Sequence, residues 1–258
     1  MLGLRTVNQD RKSHNNFQWP PIGGTAIAPD WDGGKAECGG GLHFFPWGEG
    51  DGGLLNWSPV AIWQVVDDNN APDTVLFNRK AKAHKLTVVF EGNQKEATDY
   101  LLAHGAVGKA IVGATVVVGD NQIAVTGDYG KATAGISGTA TAGDCGTATA
   151  GYYGTATAEN YGIATAGYWG IATVGIGGTA TAGNYGTATA GYRGTATAGD
   201  NGTATAGDKG TATAEIGGTL IIKHCDDRYR IVVGYVGEDG ILPNVAYKLD
   251  KKGKFVKA

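Results

Sequence analysis

The sequence predicts a mainly β protein: a parallel β-solenoid with two octads per coil, preceded by an N-terminal α+β domain and closed by a small C-terminal β cap. Three observations carry this reading. Glycine recurs every eight residues, at Gly130, Gly138, Gly146 and so on to Gly218, each time opening a version of G-T-A-T-A-G-x-x. Within each octad the residues T-A-T-A alternate with period two, as a short strand requires. On both sides of the repeats the composition reverts to that of an ordinary globular chain. The expected boundaries are 1–108 for the N-terminal domain, 109–225 for the solenoid and 226–258 for the cap.

In the first domain, strand-like runs fall at residues 61–66, 74–77 and 86–90, and KEATDYLLAH (95–104) has helical spacing. Phe17, Trp19, Trp31, Phe44 and Phe45, with Trp47 beside them, are the aromatic core candidates. A domain of roughly 100 residues can bury such a core.

The solenoid begins with two looser octads, ATVVVGDN and QIAVTGDY, which bring the total to about fourteen octads. A helix is excluded because each octad carries β-branched threonine and two glycines. Two octads make a flattened coil of strand, corner, strand and corner; three per coil is the competing geometry, and the octad count does not divide by three. Seven coils stacked at roughly 4.8 Å give a rod a little over 30 Å long. The first threonine position also holds Lys131, Ile163 and Ile171, whereas the next residue stays alanine from Ala132 to Ala212. A buried lysine is costly unless paired, so threonines face outward and alanines inward. An alanine core is thin, so backbone ladders must supply much of the stability.

Two variable residues occupy each corner. Aspartate and asparagine there suit turn chemistry. The aromatics define a candidate binding stripe of Tyr152, Tyr153, Tyr161, Tyr168, Trp169, Tyr185, Tyr192 and Arg193, residue types that dominate binding hot spots. The competing account is that these rings simply stack along the corner column. Ile136, Ile176 and Ile216 recur at five-octad intervals, a sign of block duplication. After Gly218 the larger Leu220, Ile221 and Ile222 lead into short strands, with a turn at Glu238, Asp239 and Gly240 and a lysine-rich closing edge. Such a cap protects the exposed ladder end.

A formal net charge of −3 provides no overall basic field for nucleic acid or anionic membrane. Cys38, Cys145 and Cys225 are far apart without a C-x-x-C pair, which argues for a reducing compartment rather than a disulfide framework or zinc. No stretch approaches the ~20 apolar residues of a membrane span, and the opening segment lacks a signal peptide's apolar core. The expectation is a soluble, cytoplasmic protein. No cofactor or metal is expected. His14, His84, His104 and His224 lack ligand spacing, and the corner aspartates lack the G-G-x-G-x-D calcium pattern.

The segment ECGGGLHFFPWGEGDGG holds the one candidate pocket, with Cys38, His43, Trp47 and Glu49. Glycine-rich loops let backbone amides reach phosphate, yet neither the P-loop nor the dinucleotide fingerprint is present. Cys38 and His43 form a conceivable nucleophile and base without an orienting acid. The histidine after glycines is similar to the NAD-binding strand of ADP-ribosyltransferases, without a partner for a catalytic glutamate. A nucleotide- or NAD-using enzyme is therefore one alternative.

Two resemblances follow from the motifs. The C-G-G-G-L-H-F segment, the G-T-A-T-A-G-x-x octads and the G-Y-V-G-E-D-G-I-x-P-N ending look like an uncharacterised family common in bacteriophage and prophage genomes. That resemblance implies a viral or prophage origin, the host-cell cytoplasm as compartment, and a non-structural or host-interaction role. The repeats alone look like insect T-x-T ice-binding β-solenoids. Thr147, Thr149, Thr179, Thr181, Thr187, Thr189, Thr195 and Thr197 would then belong to one two-dimensional grid, although Ile163 and Ile171 interrupt it. The leading expectation is a non-enzymatic phage-type binding or scaffold protein whose N-terminal domain engages a macromolecular partner, a host bacterial protein, with the solenoid as an accessory or secondary contact. Its rod would serve as a rigid spacer or as the surface of a homodimer.

Overall fold

The computed structural model describes residues 1–13, 16–33, 35–225 and 228–258. His14, and the first two residues expected in the cap, Asp226 and Asp227, lie outside them. The chain forms two compact units, Met1–Thr115 and Val116–Ala258.

The first unit is an antiparallel sheet with one helix. Its strands are β1 (Leu2–Val7), β2 (Thr25–Ile27), β3 (Leu42–Pro46), β4 (Ile62–Asp67), β5 (Val75–Phe77), β6 (Lys80–Ala83) and β7 (Lys85–Gly92). They lie in the order β2-β7-β4-β1-β3-β6-β5. β4 and β7 carry the β-branched runs that made them legible. A register shift between Val65 and Val66 bulges their pairing. The helix α1 (Gln94–Ala103) starts at a capping box: Asn93 Oδ1 accepts the Glu96 amide at 3.0 Å and Glu96 Oε2 accepts the Asn93 amide at 2.9 Å. Of the expected core aromatics, Trp19, Phe44 and Phe45 are buried, Phe17 and Trp31 pack partly against that core, and Trp47 sits in a turn at φ 53°.

One topological detail positions a cleft. β1 pairs with β3 only through Gly3–Pro46 and Leu4–Phe45. Beyond that point Arg5, Thr6 and Val7 pair with β4 alone, and Leu42, His43 and Phe44 pair with β6 alone. The two strands part like a wedge.

The second unit is the solenoid, and each repeat strand pairs in parallel with the strand sixteen residues on, as in Thr147↔Ile163 and Thr155↔Ile171. Coils of two octads therefore stack into two sheets, of nine and eight strands once the cap is included. Ala140, Ala148, Ala156, Ala164, Ala172 and Ala180 are fully buried, and the threonines face outward. At a typical corner the Gly154 N–H closes a turn on the Gly151 carbonyl at 3.0 Å. The second corner residue is left-handed, with φ 57° at Tyr153 and 56° at Trp169, the sign pattern of a type II turn. Its N–H bonds the next rung, Tyr153 N to Tyr168 O at 2.9 Å.

The cap ends each sheet with antiparallel strands. Thr219–Cys225 pairs along its length with Tyr229–Tyr235, while Tyr247–Leu249 meets the other sheet at Ala212 and pairs outward with Phe255–Lys257. Leu220, Ile222, Ile241 and Tyr247 close the alanine core with larger side chains. The predicted turn is present: the Ile241 N–H bonds the Glu238 carbonyl at 2.8 Å.

Candidate functional site

Sixteen residues per coil send alternate octads to opposite edges of the solenoid. One edge collects Tyr152, Tyr153, Tyr168, Trp169 and Tyr185; Tyr161, Tyr192 and Arg193 lie on the other. The stripe expected from the sequence is thus two patches. In the larger one, Tyr152 stacks on Tyr168 at 5.3 Å and 5°, and Trp169 stacks between Tyr153 at 6.4 Å and Tyr185 at 4.6 Å. These five rings span three successive rungs and remain between 38 and 56% exposed. Stacking and display therefore coexist. The Tyr152 hydroxyl is pushed up in pKa by its hydrogen bond with Tyr153. On the opposite edge Lys209 Nζ lies 3.2 Å from the Tyr192 hydroxyl and, with the Arg193 guanidinium, over its ring. That lysine hydrogen bond lowers the hydroxyl's pKa.

Where the first corner residue is aspartate or asparagine, its side chain supports the rung above. Asp144 Oδ1 accepts the Asn160 N–H at 2.8 Å, Asn160 accepts that of Ile176 at 3.0 Å, and Asp200 accepts that of Ile216 at 3.2 Å. Successive octads alternate between this residue type and tyrosine, as in Asp144, Tyr152, Asn160 and Tyr168. The next octad carries Ile176, after which Asn184 stands on the edge that held the tyrosines. A five-octad block on a two-octad coil exchanges the edges, so Ile136 and Ile216 share one and Ile176 takes the other.

The threonine grid also needs correction. Thr147, Thr149, Thr179, Thr181, Thr195 and Thr197 share one sheet, but Thr187 and Thr189 belong to the other. The reason is the same alternation, which makes two grids on different sheets. Ile163 and Ile171 each break the first row of one sheet. The second rows are continuous, from Thr133 to Thr213 and from Thr141 to Thr205.

The four residues of the candidate pocket do not converge. Cys38 and His43 line the cleft at the parting of β1 and β3, about 940 Å³ in volume. Trp47 and Glu49 face other business: the Trp47 N–H bonds the Leu2 carbonyl, and Glu49 accepts the Ala110 N–H at 3.0 Å and approaches Lys109 at 3.5 Å. Cys38 Sγ lies 3.3 Å from Lys80 Nζ. His43 Nε2 is buried without a hydrogen-bond partner. Burial first, then the charges of Lys80, Lys82 and Arg5, hold its pKa below the usual imidazole value. The glycine run leads into a strand, not a helix N-terminus. At Gly40 a Cβ would fall 1.6 Å from the Asp30 carbonyl oxygen, so close backbone approach accounts for that glycine.

Sequence reasoning missed Arg5, Lys80 and Lys82. The signal available was a charge inside an apolar strand, LGLRTV, and the alternation KAKA. Among the described residues no group of three or more His, Cys, Asp or Glu side chains could hold a metal ion, and no helix is long and apolar enough to cross a membrane. Fold and site together define a two-sheet parallel β-solenoid protein carrying an antiparallel-sheet domain. No family model, curated protein or solved structure matches the chain.

Proposed function

We propose that this is a non-enzymatic binding or scaffold protein of phage type that engages a host bacterial protein, with the solenoid as a rigid rod presenting part of the contact surface. The observation that carries the reading is the aromatic edge: Tyr152, Tyr153, Tyr168, Trp169 and Tyr185 on three adjacent rungs, stacked yet exposed. Stability alone does not call for these rings, because aspartate and asparagine join the same kind of corner by hydrogen bonds elsewhere. Tyr153, Trp169 and Tyr185 also occupy a left-handed conformation that disfavours bulky residues. Rigid aromatic side chains lose little entropy on binding and anchor protein interfaces. The test compares capture from bacterial lysate by the wild-type chain and by a Tyr153→Ser/Trp169→Ser variant of equal melting temperature. Loss of one specific partner in the variant supports the reading; identical capture profiles refute the role of this edge.

The continuous second threonine rows favour ice binding as a second reading, since they form a regular hydroxyl and methyl lattice. Threonine's strand propensity produces the same rows without ice. Purified protein should then shape ice crystals, with Thr181→Tyr and Thr189→Tyr each blocking one sheet. Round, unfaceted ice discs with the wild-type protein end that reading.

A further inference from the structure

The N-terminal unit buries a cation that its own acids leave uncompensated. Arg5 is 8% exposed, its guanidinium lies 3.3 Å over the Trp19 ring, and its Nη1 donates one hydrogen bond, at 3.3 Å, to the His43 carbonyl. Its Nε is buried without a partner. Among the described residues no carboxylate pairs with it, and several acids of the same unit hold other partners. Glu91 takes Arg11 and Gln64, Asp32 takes Lys82 at 2.6 Å, Asp10 takes Lys12, and Asp30 accepts the Gly41 N–H. Gln64, opposite Arg5 in the β1–β4 register, leaves Oε1 unpartnered, but a neutral acceptor does not neutralise a charge. Burial depresses the guanidinium's pKa well below its usual value, with no opposing carboxylate among the described residues. An unpaired buried charge is among the costliest features a fold can keep.

Arg5 also lines the cleft opened by the parting of β1 and β3. Among the described residues its walls carry Arg5, Lys12 and Lys80 against a single carboxylate, Asp30, in a chain whose net charge is −3. Phe17, Trp19, Phe44 and Phe45 supply the apolar remainder. The volume, about 940 Å³, falls within the range of small-molecule sites, and an apolar wall with a few convergent polar groups is their usual make-up. A guanidinium stacked on an indole presents its N–H fork to an oxyanion in fixed geometry.

We infer that this cleft binds a small ligand bearing a carboxylate or phosphate on a planar, apolar body, with Arg5 receiving the oxyanion and Lys80 serving as second cation. The inference is independent of the proposed role of the solenoid.

Calorimetric titration of the full-length protein with benzoate, phenyl phosphate and inorganic phosphate, at constant ionic strength set with chloride, tests it. Benzoate or phenyl phosphate should bind saturably, about tenfold or more tighter than inorganic phosphate, and raise the melting temperature. Whichever of the two binds better identifies the head group. Arg5→Met should abolish binding while leaving the unliganded melting temperature unchanged or higher, because it removes an uncompensated charge; a merely structural arginine would lower it. Lys80→Met, at a less buried position, keeps the test decisive if Arg5→Met does not fold, and should weaken binding about tenfold. Flat titrations with both aromatic probes, or affinity that Lys80→Met leaves unchanged, overturn the inference.

Discussion

Adding a single methyl group at Gly154 puts the packing of the rod to the test. A Cβ there would lie 2.6 Å from Ala150 Cβ, 2.9 Å from the Gly151 carbonyl oxygen and 3.1 Å from that of Gly138. Comfortable carbon contacts are about 3.5–4.0 Å, so something must move by about 1 Å. Neither carbonyl is free to do so. The Gly138 carbonyl already accepts the Thr155 N–H at 2.9 Å, and the Gly151 carbonyl closes the corner with Gly154 itself. Overpacking of this kind costs about 1–3 kcal/mol, and a weakened ladder bond adds about 1 kcal/mol. The lower chain entropy of alanine in the unfolded state returns about 0.4–1 kcal/mol. A net loss of about 1–3.6 kcal/mol lowers the melting temperature of a unit this size by about 2–14 °C. Gly119→Ala is the matched control, because no atom lies within 4 Å of its added Cβ. Circular dichroism melts of both variants in the full-length chain read the difference. If Gly154→Ala melts within about 1 °C of Gly119→Ala, the close-packing account of these glycines is wrong.

Three further outcomes follow from the same geometry. His43 is held below its usual pKa chiefly by burial, so on acidification the unfolded chain takes up its proton first. Stability from this group is complete above about pH 6.5 and falls as pH drops toward the folded value; melts between about pH 7 and pH 5 should decline, and His43→Phe should flatten that slope. Lys82 is fully buried against Asp32 at 2.6 Å, so Lys82→Ala should destabilise the N-terminal unit by about 3 kcal/mol, read as a lower urea midpoint. Asp144→Ala removes the acceptor of the Asn160 N–H and should cost about 1 kcal/mol, with faster hydrogen exchange at that amide.

The solenoid was legible because T-A-T-A between glycines admits little else. Strand, corner and inward alanine all repeat in one eight-residue word, and Lys131 alone decides which face is wet. Assigning threonines and tyrosines to shared surfaces required one more step, since octads eight residues apart are never neighbours on a two-octad coil. That is why Thr187 was grouped with Thr179 although they lie on different sheets. The first unit was harder. β4 and β7 showed through their β-branched runs, but β3 was masked by glycines that invite a loop reading. β6 hides in KAKA, where Lys82 looks solvated and is instead buried on Asp32. Arg5 showed as a charge inside an apolar strand, but its lack of a carboxylate partner did not, because that is decided by contacts across the sheet.

The sixteen-residue coil also imposes a parity on the gene. A gain or loss of one octad, a unit of twenty-four nucleotides, preserves the reading frame. It does not preserve the molecule: every later strand would change sheets, and every later corner would change edges. Thr219–Cys225, whose larger residues meet the closing hairpin, would arrive on the wrong side. Length variants that keep the cap in place should therefore differ by even numbers of octads, and a single-octad change marks a chain whose end must be rebuilt.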